Sequence, residues 1–366
     1  MITSRTFSLP GRNLITDDGQ QFLWFSGTDY LGAGHNEALR RFILKGIEQY
    51  GTHYGSSRNS SLQLGVYQEA EERLAGFMGV SGTLLVSSGM WAGQLVMKEI
   101  KHLARLNNHS AELRYYYAPG AHPAIQGEDY TPVLISWRDW AAQSILQIND
   151  AEDDNTMHIV CTDAIGSPFV QTFDFSVFSQ IKDPSRVILI IDESHSLGVL
   201  GAGGKGIYRD IPEALQSNAL IVSSLNKAMG IPAGVISGSR LMIQALRHSP
   251  FFAGASPAAP AFIFALEKML SHDLYSTMHN QLLENVAYFH SIFSVAGLFT
   301  SASNYPVLCS TDSRLFGFLL SQGIMASCFP YPKPDDLPVT RIVITALHQK
   351  EDLSRLAEVC TLYLKN

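Results

Sequence analysis

A mostly parallel α/β sheet, followed by a smaller α+β unit, is the fold class this sequence predicts. Three observations predict it. Short apolar runs recur at Thr83–Val86, His158–Cys161, Val187–Ile191, Leu220–Val222 and Gly234–Ser237, most of them continuous in Val, Ile and Leu rather than alternating. Runs of that kind belong to strands covered on both faces. Helical or loop material separates them, the spacing of a mostly parallel sheet flanked by helices. Beyond about residue 240 the texture changes, and 46% apolar residues in a chain of 366 supply a large core.

Taken in order, 1–45 reads as an N-terminal segment, 46–240 as the large domain and 241–366 as the small C-terminal domain. The first helix is Asn36–Tyr50. Asn36 can cap it, Leu39, Phe42, Ile43, Ile47 and Tyr50 form one face, and Gly51 offers a left-handed stop. A turn-rich stretch from Gly51 to Ser61 leads to a second helix, Val66–Met78, closed by Gly79. The strand runs follow. The C-terminal unit carries a long helical region at Phe262–Ala296, a strand at Arg341–Thr345 and a last helix at Glu351–Leu364.

Composition excludes several functions. The balance of 26 basic to 33 acidic residues gives −7, with no basic cluster beyond Arg40-Arg41, so nucleic acid and anionic membrane are poor partners. No apolar run is long enough to span a bilayer, and the first twenty residues, with Arg5, Arg12, Asp17 and Asp18, show no secretory signal. Four dispersed cysteines without a CxxC pair argue against a zinc ribbon or disulfide scaffold and fit a reducing, cytoplasmic setting. Charged residues at 16% fall below the ~25% norm, which suggests an extensive subunit interface.

Ligands of open α/β sheets sit beyond the carboxyl ends of the strands, so the residues after each run are the ones to read for chemistry. Ser87-Ser88-Gly89-Met90 follows the first run. A small-residue turn opening a helix is an anion site, though such turns are common without a ligand. Asp192-Glu193-Ser194-His195 follows the third. A carboxylate there is either a cap, a structural ion pair or a functional acid, and the nearby His strengthens the last reading. Ser224-Leu-Asn-Lys227 follows the fourth. That Lys is a surface residue or, if desolvated, a nucleophile able to form a Schiff base. Together, an anion turn, an acid with a nearby His and a Lys at successive strand ends suit pyridoxal 5'-phosphate, which needs a phosphate cradle, a partner for its ring nitrogen and a lysine.

From about Phe25 onward the chain resembles the α-oxoamine synthases among the fold type I pyridoxal-phosphate enzymes. Ser26-Gly-Thr-Asp-Tyr-Leu-Gly32, the Gly51–Arg58 loop, Val86–Met90, Ala121-His122-Pro-Ala124, Thr162–Ser167, Asp192–Gly206, Ser224–Lys227 and Arg341–Ala346 are each similar to a family motif. The resemblance implies catalytic roles for Lys227 as the Schiff-base lysine, Asp192 at the pyridinium, His195 by the ring's 3-oxygen and His122 stacked on the ring. It further implies that Gly89 and Met90 by their N–H groups, with Ser224, hold the phosphate. Ser167 would assist near the 3-oxygen, Ser256 would lend a hydroxyl to the partner's phosphate site, and Arg341 would bind the amino-acid carboxylate. A homodimer with a shared active site is implied as well. Thr28 and Gly93 stand where the family has Asn, Asn226 where it has Ser or Gly, and the segment before residue 25 is short.

The implied activity is condensation of a small amino acid with an acyl thioester, losing carbon dioxide and giving an α-amino ketone. The 8-amino-7-oxononanoate synthase branch of biotin synthesis leads. Glycine C-acetyltransferase, serine palmitoyltransferase, quorum-signal synthases, an aminotransferase and a non-catalytic binding relative are the alternatives. Gly201-Ala-Gly-Gly-Lys-Gly206 satisfies GxGxxG but lies too far beyond its strand for a dinucleotide turn, and no GxSxG of a serine hydrolase is present.

Overall fold

The computed structural model describes every residue except 1–3, 107–109, 152, 154, 331–334 and 366. Two strands, β1 (Asn13–Ile15) and β2 (Gln21–Phe25), precede α1 (Glu37–Tyr50) and α2 (Gly65–Met78). Then come β3 (Gly82–Val86), α3 (Gly89–Ala104), β4 (Glu112–Tyr117), α4 (Trp137–Asn149) and β5 (Thr156–Asp163), with a small hairpin of β6 (Ile165–Gly166) and β7 (Gln171–Thr172). β8 (Val187–Asp192), α5 (Glu213–Gln216), β9 (Ala219–Ser224) and β10 (Gly234–Gly238) complete this half. The rest comprises α6 (Arg240–Arg247), α7 (Pro250–Ala253), α8 (Pro260–Ser271), α9 (Leu274–Ile292), β11 (Thr300–Ser301), β12 (Val307–Ser310), α10 (Leu315–Ser321), β13 (Ile324–Pro330), β14 (Pro338–Val343) and α11 (Lys350–Lys365).

The larger sheet runs β3-β10-β9-β8-β5-β4. Its pairs are parallel except for β10, which is antiparallel to both neighbours. The apolar runs are continuous because both faces are covered. Along β8, Ile188 and Ile190 enter one core with Leu95 and Val96 of α3, while Val187, Leu189 and Ile191 enter the other with Leu74 of α2. The mostly parallel α/β architecture expected from the sequence is therefore present. The apolar pattern does not reveal β4, because Glu-Leu-Arg-Tyr-Tyr-Tyr alternates as an edge strand with a single neighbour.

The smaller sheet runs β1-β2-β13-β14-β12-β11, antiparallel apart from the β2–β13 pair. The N-terminal segment thus supplies two strands to the sheet of the C-terminal region, and Arg12 pins it to Asp352 of α11 at 2.8 Å. The long helical region at Phe262–Ala296 is two helices. Asp273 adopts a left-handed φ of 52° between α8 and α9, which interrupts the hydrogen-bond ladder, and the backbone is already extended at Phe293. The α1 helix is capped by Asn36, whose side chain accepts from the Leu39 N–H, and it stops at Gly51 with φ 73°. Among the described residues no helix is long and apolar enough to cross a membrane, and no acidic, His or Cys cluster could hold a metal ion.

Glu193, next to Asp192, is fully buried and ties the loop after β8 by accepting the Ile207 N–H at 2.8 Å. Burial, reinforced by the charges of Asp192 and Asp210, pushes its acid up to about 8 against the pull of that N–H. The folded protein therefore binds a proton there that the unfolded chain releases near pH 4.5. This contribution is fully present below that value and is lost as pH rises through 8. Glu193→Gln should remove this share, at most about 1.4 kcal/mol per pH unit. Urea midpoints at pH 5, 7 and 9 should then shift in the variant's favour as pH rises; a constant difference would show that Glu193 does not titrate in this window.

Candidate active site

The carboxyl ends of β5, β8 and β9 and the start of α3 converge, and there the small sheet brings Arg341 on β14 against them. Lys227 lies in the turn after β9, closed by the Leu225 N–H to the Ala233 carbonyl at 2.9 Å. Its Nζ stands 2.9 Å from Nε2 of His195. Burial pushes the ammonium down to about 8, opposed by the Asp192 carboxylate. His195 is held well below the ordinary imidazole range, by desolvation first and then by the charge of Lys227. A neutral imidazole beside an ammonium must accept at Nε2, which leaves its proton on Nδ1. That nitrogen faces the Tyr30 hydroxyl at 2.9 Å, and the same hydroxyl accepts from Nη2 of Arg341 at 2.8 Å. The Tyr305 hydroxyl donates to the His195 carbonyl at 3.1 Å. Tyr30 is itself fixed from both sides: the Ala346 N–H donates to its carbonyl at 2.9 Å, and Asp29 accepts from the Ala33 and Gly34 N–H groups in the turn that follows.

The acid end lies one strand away. Asp192, buried at the tip of β8, accepts the Ser194 N–H at 2.8 Å, and its other oxygen lies 3.5 Å from Nδ1 of His122. That Nδ1 already accepts the Ala124 N–H at 3.2 Å. Burial and Lys227 lower the imidazole, with Asp192 opposing, so the approach is a contact between acceptors rather than an ion pair. Asp163 on β5 is the register partner of Asp192 and accepts the His122 N–H at 3.0 Å. Burial, then the neighbouring Asp192 charge, holds its carboxyl well above the usual range.

At the third corner Ser88 caps α3 by accepting the Trp91 N–H, so the N–H groups of Gly89 and Met90 are those a helix start leaves without intrahelical partners. A Cβ on Gly89 would lie 2.5 Å from Cβ of Ser224, so only glycine lets the helix begin against the tip of β9. The Ser224 N–H donates to the Ser194 hydroxyl at 2.9 Å, which ties this corner to the Asp192 loop. Ser256 lines a small cavity with Ser87 and Trp91, beside the same turn. Ser167 sits in the β6–β7 hairpin before a cis bond to Pro168, and among the described contacts none joins it to Lys227, His195 or Asp192. The glycine-rich Gly201–Gly206 segment folds on itself, the Gly206 N–H reaching the Leu200 carbonyl at 3.0 Å, and feeds no helix as a dinucleotide turn would.

Of the departures noted in the sequence, Gly93 has a steric reason. A Cβ there would meet the Ala124 carbonyl oxygen at 2.4 Å, so the turn after His122 occupies the space an Asn would need. Asn226 is exposed, which leaves the Lys227 turn indifferent to it. Sequence reasoning passed over Tyr30, Tyr305, Asp163 and Ser194 as site residues. Tyr30 and Asp163 lay inside motifs already singled out and Ser194 beside His195, whereas nothing around Asn304-Tyr305-Pro306 signals a contact with His195.

The profile of the aminotransferases of class I and II matches residues 20–359. The chain belongs to that family. Within it, the 8-amino-7-oxononanoate synthase of Petrotoga mobilis is 27% identical over 96% of this chain and 91% of the relative. The serine palmitoyltransferase of Bacteriovorax stolpii is 25% identical over 94% and 83%. These similarities place the chain among the α-oxoamine synthases. The fold is shared with a solved serine palmitoyltransferase of S. paucimobilis that carries PLP, at a TM-score of 0.80 and 14% identity over 98% of this chain and 91% of that one.

Tyr30 links the two cations of this family member's site. Tyr30→Phe should leave the His195 Nδ1–H and an Arg341 N–H without their acceptor, costing about 1–3 kcal/mol of stability. Urea unfolding measures the loss, and an unchanged midpoint would show that the Tyr30 hydroxyl is not what satisfies these two groups.

Proposed function

We propose that this chain is a pyridoxal-phosphate-dependent C-acyltransferase that joins a small amino acid to an acyl thioester and releases carbon dioxide. The 8-amino-7-oxononanoate synthase reaction, with alanine and a pimeloyl thioester, is the leading pair. The observation that carries this reading is the hydrogen-bonded series Lys227–His195–Tyr30–Arg341, opposite the acid Asp192. It brings together the lysine, the acid and an arginine able to hold a carboxylate, the groups that such a condensation needs.

The residues fit the cofactor. The free N–H groups at the start of α3, with the Ser224 hydroxyl beside Gly89, suit a phosphate. Asp192, held by the Ser194 N–H, suits the protonated ring nitrogen, and His122, in contact with Asp192, suits a ring face. When bound, the cofactor supplies the electron sink for negative charge developing at the amino acid's Cα. Lys227 is the residue that would bond its aldehyde, because a Nζ lowered to about 8 has a substantial neutral fraction near that pH. The same amine, displaced by the substrate, stays in place to take and return the Cα proton. His195, beside Lys227, is assigned a place by the ring's 3-oxygen. The Arg341 fork would hold the substrate carboxylate and so set which face of Cα meets Lys227. Ser167 is assigned a supporting place near the 3-oxygen, and Ser256 a place at the partner's phosphate in a homodimer with a shared site. The four cysteines, all free, support a reducing cytoplasmic setting.

The test is a visible spectrum of the holoenzyme titrated with alanine, glycine and serine, followed by an acyl thioester. One amino acid should shift the band, and the thioester should then release free thiol. Turnover of an oxo acid with no thioester requirement would convert the assignment to an aminotransferase. In Lys227→Ala the borohydride-reducible adduct should be lost; its survival would remove Lys227 from the role.

A further inference from the structure

The neighbouring strands β5 and β8 each end in a carboxyl group. Asp163 and Asp192 are register partners in that parallel pair, and the Ala164 N–H donates to the Asp192 carbonyl at 2.9 Å. Residues paired in this way share a face of the sheet, on strands about 4.8 Å apart. Their bonds differ. Asp192 takes an N–H from Ser194 in its own loop, whereas Asp163 reaches out of its strand to the His122 backbone N–H at 3.0 Å.

The turn that carries His122 is otherwise held from the side of α3. Gln94 donates to the Pro123 and Ala124 carbonyls at 3.0 and 3.1 Å, and the Ile125 N–H closes on the His122 carbonyl at 2.9 Å. Among the described hydrogen bonds of residues 121–126, the one to Asp163 is the one that reaches the strands bearing the acids. The imidazole needs such a tether. Its Nδ1 accepts the Ala124 N–H at 3.2 Å and lies 3.5 Å from an Asp192 oxygen. Neither atom offers the other a proton, since a carboxylate only accepts, so the backbone imposes this approach.

We propose that Asp163 is a positioning residue of the cofactor site, holding His122 by its backbone so that the imidazole stands against Asp192. The inference rests on the cofactor reading above and adds a residue to which that reading gives no part. Burial and the Asp192 charge hold the Asp163 carboxyl well above the usual range. A carboxyl that keeps its proton still accepts through its carbonyl oxygen, and an amide of the same shape does so too. Asparagine should therefore replace Asp163 with little loss. Leucine, similar in shape and without an acceptor, should not.

The test is titration of the apoprotein with pyridoxal 5'-phosphate, reading the dissociation constant from the absorbance of bound cofactor and its visible circular dichroism at saturation. Asp163→Asn should stay within about threefold of the unsubstituted protein. Asp163→Leu should bind roughly tenfold more weakly, the scale of one lost hydrogen bond, with a weaker dichroic band. In a His122→Ala background the leucine substitution should have no further effect on affinity, because it acts through His122. Asp163→Ala makes the same comparison if Asp163→Leu does not fold. A purely structural role would lower the urea midpoint and leave the dissociation constant where it was. An unchanged constant in the folded leucine variant, an equal loss in Asp163→Asn, or the same loss with and without the His122 side chain would overturn the positioning role alone. Unsubstituted protein that takes up no cofactor would overturn the cofactor reading and this inference with it.

Discussion

Two cations, Lys227 and Arg341, are held close together by two neutral groups between them, and the site depends on that arrangement. Like charges drawn out of water repel strongly, so neither could be desolvated here without intervening dipoles. His195 accepts from Lys227 on one side and donates to Tyr30 on the other, and the Tyr30 oxygen accepts again from Arg341. The imidazole does this only while neutral, and burial keeps it so. Opposite, the paired carboxyls Asp192 and Asp163 bring negative charge to the same space. The raised acid of Asp163 limits how much of it there is at once.

This series also joins the two halves of the molecule. Lys227 and His195 come from the large sheet, Arg341 from the small one, and Tyr30 from the N-terminal segment that follows β2. β2 pairs in parallel with β13, which pairs in turn with the strand that carries Arg341, so the chain enters the Tyr30 turn from the same sheet. The two strands before residue 26 are therefore part of the small sheet. They also wall a cavity beside Met325.

Close packing accounts for glycine at position 93. Gly93 stands against the Ala124 carbonyl, which places the His122 turn on the flank of α3. Asn226, by contrast, is exposed.

Much of this was legible in the linear sequence. Continuous Val/Ile/Leu runs encode strands covered twice, and Asp192, His195, Ser224 and Lys227 stand at or just beyond strand ends because chemistry-bearing residues gather there in a parallel sheet. Edge strand β4 escaped because one neighbour leaves an alternating pattern, and the break at Asp273 because it rests on one backbone angle. What the sequence by itself determined is the order of chemical groups along the chain, since each sits within a few residues of a patterned element. Only the tertiary structure decided which of them touch: that Tyr30 lies between His195 and Arg341, 165 and 311 residues away, that Tyr305 reaches His195, and that Asp163 sits beside Asp192. Contacts at such separations are set by how sheets stack and strands register, and no local pattern records them.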